Sequence, residues 1–238
     1  MSGLPIGYTQ LEYIESSGTQ RIDTGFIPNQ DTRVYAECVL PIASGSTQAL
    51  FGCRVSSSSR QYQFVTQGGY YRTDYNTTIN NFTQTSFGSE KFYIDKNKNV
   101  TDVNGQYSIN QTYGSFTCPG NMYLFATNNN GSAYGYASAK LYALQIYDNG
   151  TLVRNFVPCK NASDTVGLYD TVGKQFYANA GSGTFTAGPE IIIDPPSTPT
   201  ALQTILAVVL QWTASENADR YDVYRDGTKL GKIGRAHV

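Results

Sequence analysis

Few residues of this chain could carry out nucleophilic catalysis. Its only histidine is His237. A nucleophilic triad needs a base that orients and deprotonates the nucleophile. The surrounding stretch IGRAHV (233–238) reads like the translation of a common DNA-sequencing adapter, so we interpret it as a sequencing artefact. We therefore expect neither Ser–His nor Cys–His chemistry.

The carboxylates are not spaced as a hydrolase requires. Glycoside hydrolysis uses two carboxyl groups on either side of the scissile bond. Glu12 and Glu15 fall on opposite faces of a regular strand, and Glu37 and Glu90 are isolated. The sequence predicts a protein that is not an enzyme.

One segment resembles the start of a calcium loop. Asp95, Asn97 and Asn99 alternate, but an EF-hand has Gly at its sixth position and Glu at its twelfth. Val100 and Gln106 stand at those positions. We interpret the segment as a polar hairpin turn and predict no cofactor, with Ca²⁺ as an unsupported alternative.

Four cysteines, which show no CxxC spacing, leave three disulfide pairings open: Cys38, Cys53, Cys118 and Cys159. The simplest interpretation is that they are buried thiols. Cys38 fits it, because it alternates with Val34, Ala36 and Leu40 on one strand face.

Two tyrosine clusters are the candidate ligand-binding residues. The first contains Tyr70, Tyr71, Arg72, Asp74 and Tyr75, and in the second Tyr134 and Tyr136 flank a glycine. Sugar C–H faces pack on aromatic rings, while sugar hydroxyls need polar partners, and Tyr supplies both. The alternative is that strand alternation turns half of each set into the core.

Composition excludes several classes of partner. Net charge is −1 and no Lys/Arg-rich run occurs, so a nucleic-acid partner is not expected. No apolar stretch approaches the roughly 20 residues that span a bilayer, so membrane insertion is not expected either. The N-terminal segment MSGLPIGYTQ does not resemble a secretory signal.

The elements that must position these residues are strands. The clearest is a hairpin at Lys140–Cys159, where Asn149-Gly150 suits a two-residue type I′ turn. That turn would place Ile146 opposite Val153 and Leu144 opposite Asn155, although a three-residue loop stays open. A dozen or so short strands follow one another along the chain, which is typical of an all-β sandwich.

Three segments carry a family resemblance: LEYIESSGTQ-x-IDTG (11–25), KLYALQIYDNGTLVRNFVPCKN (140–161) and GLYD…FYANAGSGTFTAG (167–188). They resemble the concanavalin A/laminin-G-like jelly-roll domains of gut bacterial surface proteins and phage tail proteins. The resemblance implies two packed antiparallel sheets over residues 8–188, and glycan or surface-receptor binding as the usual role.

Two further segments follow these residues in the chain. Residues 189–199 (PEIIIDPPSTP) are proline-rich and suit a stiff, extended linker. Residues 200–232 resemble the first half of a fibronectin type III domain, in which VVLQW would be strand B with its core residue Trp212. RYDVYR would be strand C, with a turn at Asp226-Gly227. So short a segment cannot enclose a core by itself.

The sequence therefore predicts an all-β, two-sheet antiparallel jelly-roll sandwich followed by a partial fibronectin type III sandwich. The predicted function is non-catalytic carbohydrate or surface-receptor binding in a phage tail or bacterial surface protein. Two alternatives stay open: a passive spacer or decoration domain, and an accessory binding domain of a glycan-degrading enzyme. We expect a virion or cell-surface location, a cell-surface glycan or receptor as partner, and oligomerisation through parts of the protein outside this chain.

Overall fold

A computed structural model describes residues 4–42, 45–83, 86–111, 114–192, 200–203, 208–211 and 220–234. The chain divides into two compact units, of which the first is Pro5–Glu190 and the second contains Ile191–Val238. Trp212, His237 and most of the predicted linker lie outside the described residues. Where residues are described, no helix is long and apolar enough to cross a membrane.

In chain order, the described strands of the first unit are β1 (Thr9–Gln10), β2 (Ile14–Ser17), β3 (Ile22–Asp23), β4 (Thr32–Val39), β5 (Gln48–Arg54), β6 (Gln61–Gln67), β7 (Tyr70–Asn76), β8 (Thr78–Asn81), β9 (Phe92–Lys96), β10 (Val100–Val103), β11 (Tyr107–Asn110), β12 (Tyr123–Leu124), β13 (Thr127–Asn129), β14 (Ser132–Tyr134), β15 (Ser138–Asp148), β16 (Thr151–Lys160), β17 (Val166–Asp170), β18 (Gln175–Tyr177) and β19 (Thr186–Ala187).

These strands form two sheets, which confirms the predicted β-sandwich. The first sheet has the order β11-β10-β9-β4-β15-β16-β17-β18, with β1, β2 and β19 attached beside it. The second has the order β14-β13-β5-β6-β7-β8, with β3 and β12 attached. Pairing is antiparallel, as predicted, except that β13 runs parallel to β5.

The core lies between the sheets and is rich in aromatic side chains. Val34, Ala36 and Cys38 of β4 and Leu40 just after it are fully buried, which confirms their predicted alternation. From the second sheet, Phe51, Tyr62, Phe64 and Tyr71 meet them in one apolar cluster. Buried tyrosine hydroxyls need partners. The Tyr62 hydroxyl has one, because it lies 2.9 Å from the carbonyl oxygen of Lys96 on the opposite sheet.

The β15–β16 hairpin has the predicted turn but a different register. Asp148 pairs with Thr151, and Asn149 and Gly150 have φ angles of 46° and 80°, as a type I′ turn requires. A β-bulge between Ile146 and Tyr147 then shifts the pairing by one residue. Ile146 therefore lies opposite Arg154 rather than Val153, and Leu144 opposite Phe156 rather than Asn155.

All four cysteines are buried free thiols, as the simplest interpretation expected. The Cys118 Sγ lies 3.6 Å from the carbonyl oxygen of Cys53. The predicted polar turn at 97–99 is also present, since Asn97 Oδ1 accepts hydrogen bonds from the amides of Asn99 and Val100. Asp95 holds Arg33 through two hydrogen bonds of 2.8 and 2.7 Å.

In the second unit, the described strands form two separate hairpins: β20 (Thr200–Gln203) with β21 (Val208–Gln211), and β22 (Arg220–Arg225) with β23 (Thr228–Gly234). The predicted turn at Asp226-Gly227 is confirmed by φ angles of 49° and 78° between the paired residues Arg225 and Thr228. The fibronectin type III assignment itself stays a prediction.

Candidate functional site

The outer surface of the second sheet carries polar side chains, although most residues of its strands β5 and β6 are buried. On β6, Tyr62 and Phe64 lie in the core, so Gln61 and Gln63 point to the opposite face. We call this outer surface the polar face, and it consists of the side chains of Arg54, Gln61, Gln63, Arg72, Asp74, Thr127, Asn129 and Tyr134.

A single row of directly paired residues crosses the polar face from β14 to β7: Tyr134, Thr127, Gly52, Gln63 and Asp74. Neighbouring strands lie about 4.8 Å apart, so this row is roughly 19 Å long. The face is therefore long enough to contact an extended ligand rather than a single small molecule.

Gly52 lets the side chains beside it meet. A Cβ at this position would lie 2.6 Å from Gln63 Cβ and 2.6 Å from Thr127 Oγ1. In the space above the glycine, Thr127 Oγ1 donates a hydrogen bond of 2.9 Å to Gln63 Oε1. Gln63 Nε2 in turn donates to Asp74 Oδ2, so the hydrogen bonds join side chains of β13, β6 and β7 and pass over β5.

Arg72 continues this chain of bonds on β7. Its Nη2 lies 2.7 Å from Asp74 Oδ2, and its Nη1 donates to Gln67 Oε1. The carboxylate of Asp74 is fully buried, and the Arg72 side chain above it is 12% exposed. The charge pair is thus shielded from solvent although it lies toward the β7 end of the face.

Several buried polar atoms of the polar face have no partner. Among the described residues, eight buried side-chain N or O atoms make no hydrogen bond, and four of them are on the polar face. These four are both amide atoms of Gln61, Nε of Arg72 and Oδ1 of Asp74. Leaving such a group unpaired costs about 1–3 kcal/mol. Polar groups from outside the chain would remove that cost.

Arg54 and Tyr134 form one end of the face. The guanidinium carbon of Arg54 lies 4.8 Å from the centroid of the Tyr134 ring, and its Nε donates a hydrogen bond of 2.9 Å to Asn129 Oδ1. Burial is the main reason that the pKa of Arg54 is lowered from its usual value. Arg54 is 8% exposed and Tyr134 is 44% exposed. The ring is therefore open to a ligand while the guanidinium beneath it is held in place.

Four of the residues predicted from sequence lie on this side of the sheet. Arg72, Asp74 and Tyr134 belong to the polar face, and Tyr70 follows the turn at Gly68-Gly69 and is 42% exposed. Tyr70, Arg72 and Asp74 share a face because they alternate along β7.

Tyr71 and Tyr75 are not surface residues, which corrects the expected exposed cluster. Both are fully buried between the sheets, and burial raises the pKa of Tyr71 to about 12. Their hydroxyls are used internally: Tyr71 donates to the carbonyl of Leu40 and Tyr75 to that of Gln30. Alternation on β7 turns these two rings inward.

Tyr136 lies apart from the polar face. It follows β14 and is half-buried, and its hydroxyl accepts a hydrogen bond of 3.0 Å from Arg21 Nη1. The structure therefore does not bring Tyr134 and Tyr136 together as one binding cluster.

The sequence analysis missed Arg54, Gln61, Gln63, Thr127 and Asn129. A signal for the two glutamines exists in QYQFV (61–65), where amides alternate with aromatic residues on a strand. No local signal marks Thr127 and Asn129, because they reach the face through the long-range parallel pairing of β13 with β5.

The outer surface of the first sheet also carries tyrosines, but its charges are paired. Tyr35 stacks on Tyr93 with ring centroids 5.8 Å apart. Lys91, which lies over the Tyr142 ring, pairs with Glu37 at 3.2 Å. This surface lacks the unpaired buried atoms of the polar face among the residues described, so we prefer the polar face as the candidate site.

No protein-family model matches the chain, and no curated protein matches it in sequence. Among solved structures, it is similar to the CBM40 of the Ruminococcus gnavus IT-sialidase bound to α2,3-sialyllactose, with a TM-score of 0.44 and 14% identity over 58% of this chain and 90% of that chain. A second structure of that CBM40 has a TM-score of 0.44 and 15% identity over 61% of this chain and 92% of that chain. The K499G mutant of NanB sialidase from Streptococcus pneumoniae has a TM-score of 0.43 and 11% identity over 94% of this chain and 49% of that chain. At such values we draw no functional conclusion from these similarities.

Proposed function

We propose that the first unit is a non-catalytic carbohydrate-binding module whose ligand lies on the polar face. The observation that carries this proposal is the group of unpaired donors and acceptors on Gln61, Arg72 and Asp74, on the same face of the sheet as the exposed ring of Tyr134. Sugars offer both kinds of partner, since each hydroxyl donates and accepts and each ring has an apolar face.

A sugar on this face would use both kinds of contact. Its hydroxyls would donate to Asp74 Oδ1 and exchange hydrogen bonds with the Gln61 amide, and a sugar ring would pack on Tyr134. The unpaired atoms have almost no exposed area, so Arg72 must rotate away from Gln67 to admit the ligand. Its long side chain allows this, and the row from Tyr134 to Asp74 would accommodate several linked sugars.

A binding role suits the charges of this face better than hydrolysis. Glycoside hydrolysis uses an acid and a base or nucleophile, both carboxylic. On the polar face, Asp74 is the one carboxylate that the structure describes, and it is tied to Arg72. We therefore assign Asp74 to ligand positioning.

A spacer without a ligand is the second candidate. It is favoured by the burial of Tyr71 and Tyr75, because aromatic residues that serve the core need no ligand to account for them. It does not account for the Gln61 amide, which is buried and unpaired on the outer side of the sheet.

As a module of a phage tail or a bacterial surface protein, the unit would bind a cell-surface glycan weakly at each site. A shallow surface buries little area, and ordering costs oppose binding. Display in many copies would raise the avidity without new contacts. We place the protein on a virion or cell surface for this reason.

The test is a glycan array probed with the full 238-residue chain, biotinylated and multimerised on streptavidin. Glycans that bind are then measured with Tyr134→Ala and Asp74→Asn. We expect each change to weaken binding roughly tenfold or more, because each removes a contact worth about 1.4 kcal/mol or above.

Tyr136→Ala is the matched control, since this tyrosine lies outside the polar face. Asp74→Asn alters a buried charge pair and its fold must be checked by circular dichroism, whereas Tyr134 is exposed and its loss should leave the fold intact. Unchanged binding in Tyr134→Ala and a folded Asp74→Asn would refute the proposed site. An array on which no glycan binds above background would favour the spacer.

A further inference from the structure

Arg54 is a buried cation without a carboxylate partner. Within the described residues it makes no ion pair, although it is only 8% exposed. Its contacts are neutral: the amide oxygen of Asn129 at 2.9 Å and the ring of Tyr134 at 4.8 Å. A buried charge is costly unless an opposite charge accompanies it, so Arg54 is an exception that needs a reason.

Cations on the outer surface of the first sheet show the usual arrangement. Arg33 lies 4.9 Å from the Tyr147 ring centroid, as Arg54 lies over Tyr134, but it also holds Asp95 at 2.7 Å. Arg33 is much more exposed, at 42% of its side chain. The less solvated arginine is thus the one without a counter-ion.

Arg72 adds a second positive charge to the same face. Arg54 is affected by the charges of both Arg72 and Asp74, which shift its pKa in opposite directions, so the three groups lie within electrostatic range. Asp74 compensates one of the two guanidinium groups and is already bonded to Arg72. One positive charge remains, and Nε of Arg72 is still an unused donor.

From this imbalance, and resting on the proposed function, we infer that the sugar bound on the polar face carries an oxyanion, a carboxylate or a sulfate ester, which Arg54 binds. A guanidinium fork matches the two oxygens of such a group and forms charge-assisted hydrogen bonds with it. Tyr134 would hold the sugar ring beside the anion, while Asp74 and Gln61 take neutral hydroxyls. The unpaired charge thus selects acidic over neutral glycans.

The experiment compares glycans that differ only in charge on one array, using the full chain. Oligogalacturonates are printed beside their methyl esters, and sulfated galactan oligosaccharides beside their desulfated forms. Sialylated and uronic-acid glycans are printed beside their carboxyl-reduced forms. We expect at least one acidic form to bind roughly tenfold or more tightly than its neutral partner, and to weaken as NaCl is raised. The carboxylate and sulfate arms identify which oxyanion is used.

Arg54→Gln should remove the preference for the acidic form, so that the acidic glycan and its neutral partner bind about equally. Arg54→Lys keeps the charge but loses the fork, so it should restore only part of the preference. Arg33→Gln, on the other sheet, is the matched control and should change nothing.

The outcomes separate this inference from the proposed function. If neutral glycans bind as tightly as acidic ones, or if Arg54→Gln keeps the preference, the inference is wrong and a neutral-sugar module remains. If no glycan binds, the proposed function fails, and the inference fails with it. A variant that loses binding to acidic and neutral forms alike would give Arg54 a general structural role and would also overturn the inference.

Discussion

At the scale of single residues, Lys96 is a basic side chain held entirely inside the fold. It is fully buried, and its Nζ donates to Thr73 Oγ1 at 2.7 Å and to Gln111 Oε1 at 2.9 Å. The rings of Tyr62 and Tyr75 lie 4.9 and 5.4 Å away. Burial lowers the pKa of Lys96 to about 7 from a model-compound value of 10.5. The lysine links the two sheets through Thr73, and it does so mostly uncharged above neutral pH.

This shift predicts a pH-dependent stability. Between pH 7 and 10.5 the unfolded chain keeps the Lys96 proton and the folded protein does not, so the free energy of unfolding should rise with pH in that window. Below pH 7 both states are protonated and this contribution becomes constant. The total rise should be a few kcal/mol, at about 1.4 kcal/mol per pH unit. Urea denaturation at several pH values measures it.

Lys96→Met is the control for that prediction, because other groups titrate in the same range. Burial raises the pKa of Cys159 to about 12, for example, which acts in the opposite direction above pH 9. The difference between the wild type and the variant isolates the lysine. A difference that does not change between pH 7 and 10 would show that Lys96 keeps its charge in the folded protein.

The polar face requires a glycine at position 52. We expect Gly52→Ala to cost about 1–3 kcal/mol of stability, as overpacking does, because its Cβ would meet Gln63 Cβ and Thr127 Oγ1 at 2.6 Å. Glycan binding should fall with it, since the bond between those two side chains would break. Gly114→Ala is the matched control, as its Cβ would lie 3.6 Å from Asn76 Nδ2. Thermal denaturation that shows equal stability in both variants would contradict the prediction.

Strand β7 shows how much of the site can be predicted from the sequence. Alternation predicts that Tyr70, Arg72 and Asp74 share one face and that Tyr71 and Tyr75 share the other. It does not say which face meets the core, because that depends on where β6 and β5 lie. A charged pair and a tyrosine form the outer face here, while two rings with bonded hydroxyls fill the inner one. Only the packed sheets separate the site residues from the core residues.

At the scale of elements, the β15–β16 hairpin shows which local features can be predicted from the sequence. Asn149-Gly150 predicted the turn, because the dihedral angles of a type I′ turn exclude most other residues. The bulge after Ile146 was not predictable, since no residue of the strand requires it. A one-residue shift is enough to give Leu144 a different partner.

The turn yields a test at the same scale. We expect Gly150→Val to cost about 1–3 kcal/mol, because a β-branched residue resists a φ of 80°. No atom lies within 4 Å of the Cβ site, so the cost would come from the backbone and not from a clash. Gly150→Asn should be nearly neutral, as Asn tolerates positive φ. Chemical denaturation of both variants measures this, and equal midpoints would mean that the turn tolerates any residue.

At the scale of the whole molecule, regular strand spacing was enough to predict an all-β sandwich. The chain connectivity between sheets was not predictable, and the parallel pairing of β13 with β5 is the clearest case. That pairing joins residues far apart in sequence, and neither strand carries a local mark of it. The polar face depends on it, because Thr127 and Tyr134 reach Gln63 and Arg54 only through β13.

The boundary of the first unit can be tested directly. Pro189 and Glu190, which the sequence assigned to the linker, are bonded to this unit: Glu12 N donates to the Pro189 carbonyl at 2.8 Å, and Lys160 pairs with Glu190 at 2.8 Å. Two-stranded hairpins by themselves are marginally stable in water. Limited proteolysis should therefore remove the second unit and leave a resistant fragment that ends after Glu190, not after Gly188.

Trp212 provides the readout for this cleavage, because it is the only tryptophan of the chain. Tryptophan fluorescence should leave with the removed segment, while the far-ultraviolet circular dichroism and the glycan binding of the remaining fragment stay as they were. Lys160→Ala removes the ion pair with Glu190 and should shift part of the cleavage toward Gly188. Mass spectrometry of the fragments identifies the ends. A full-length chain that resists protease would show that the second unit is folded, and a fragment without glycan binding would show that the polar face needs it.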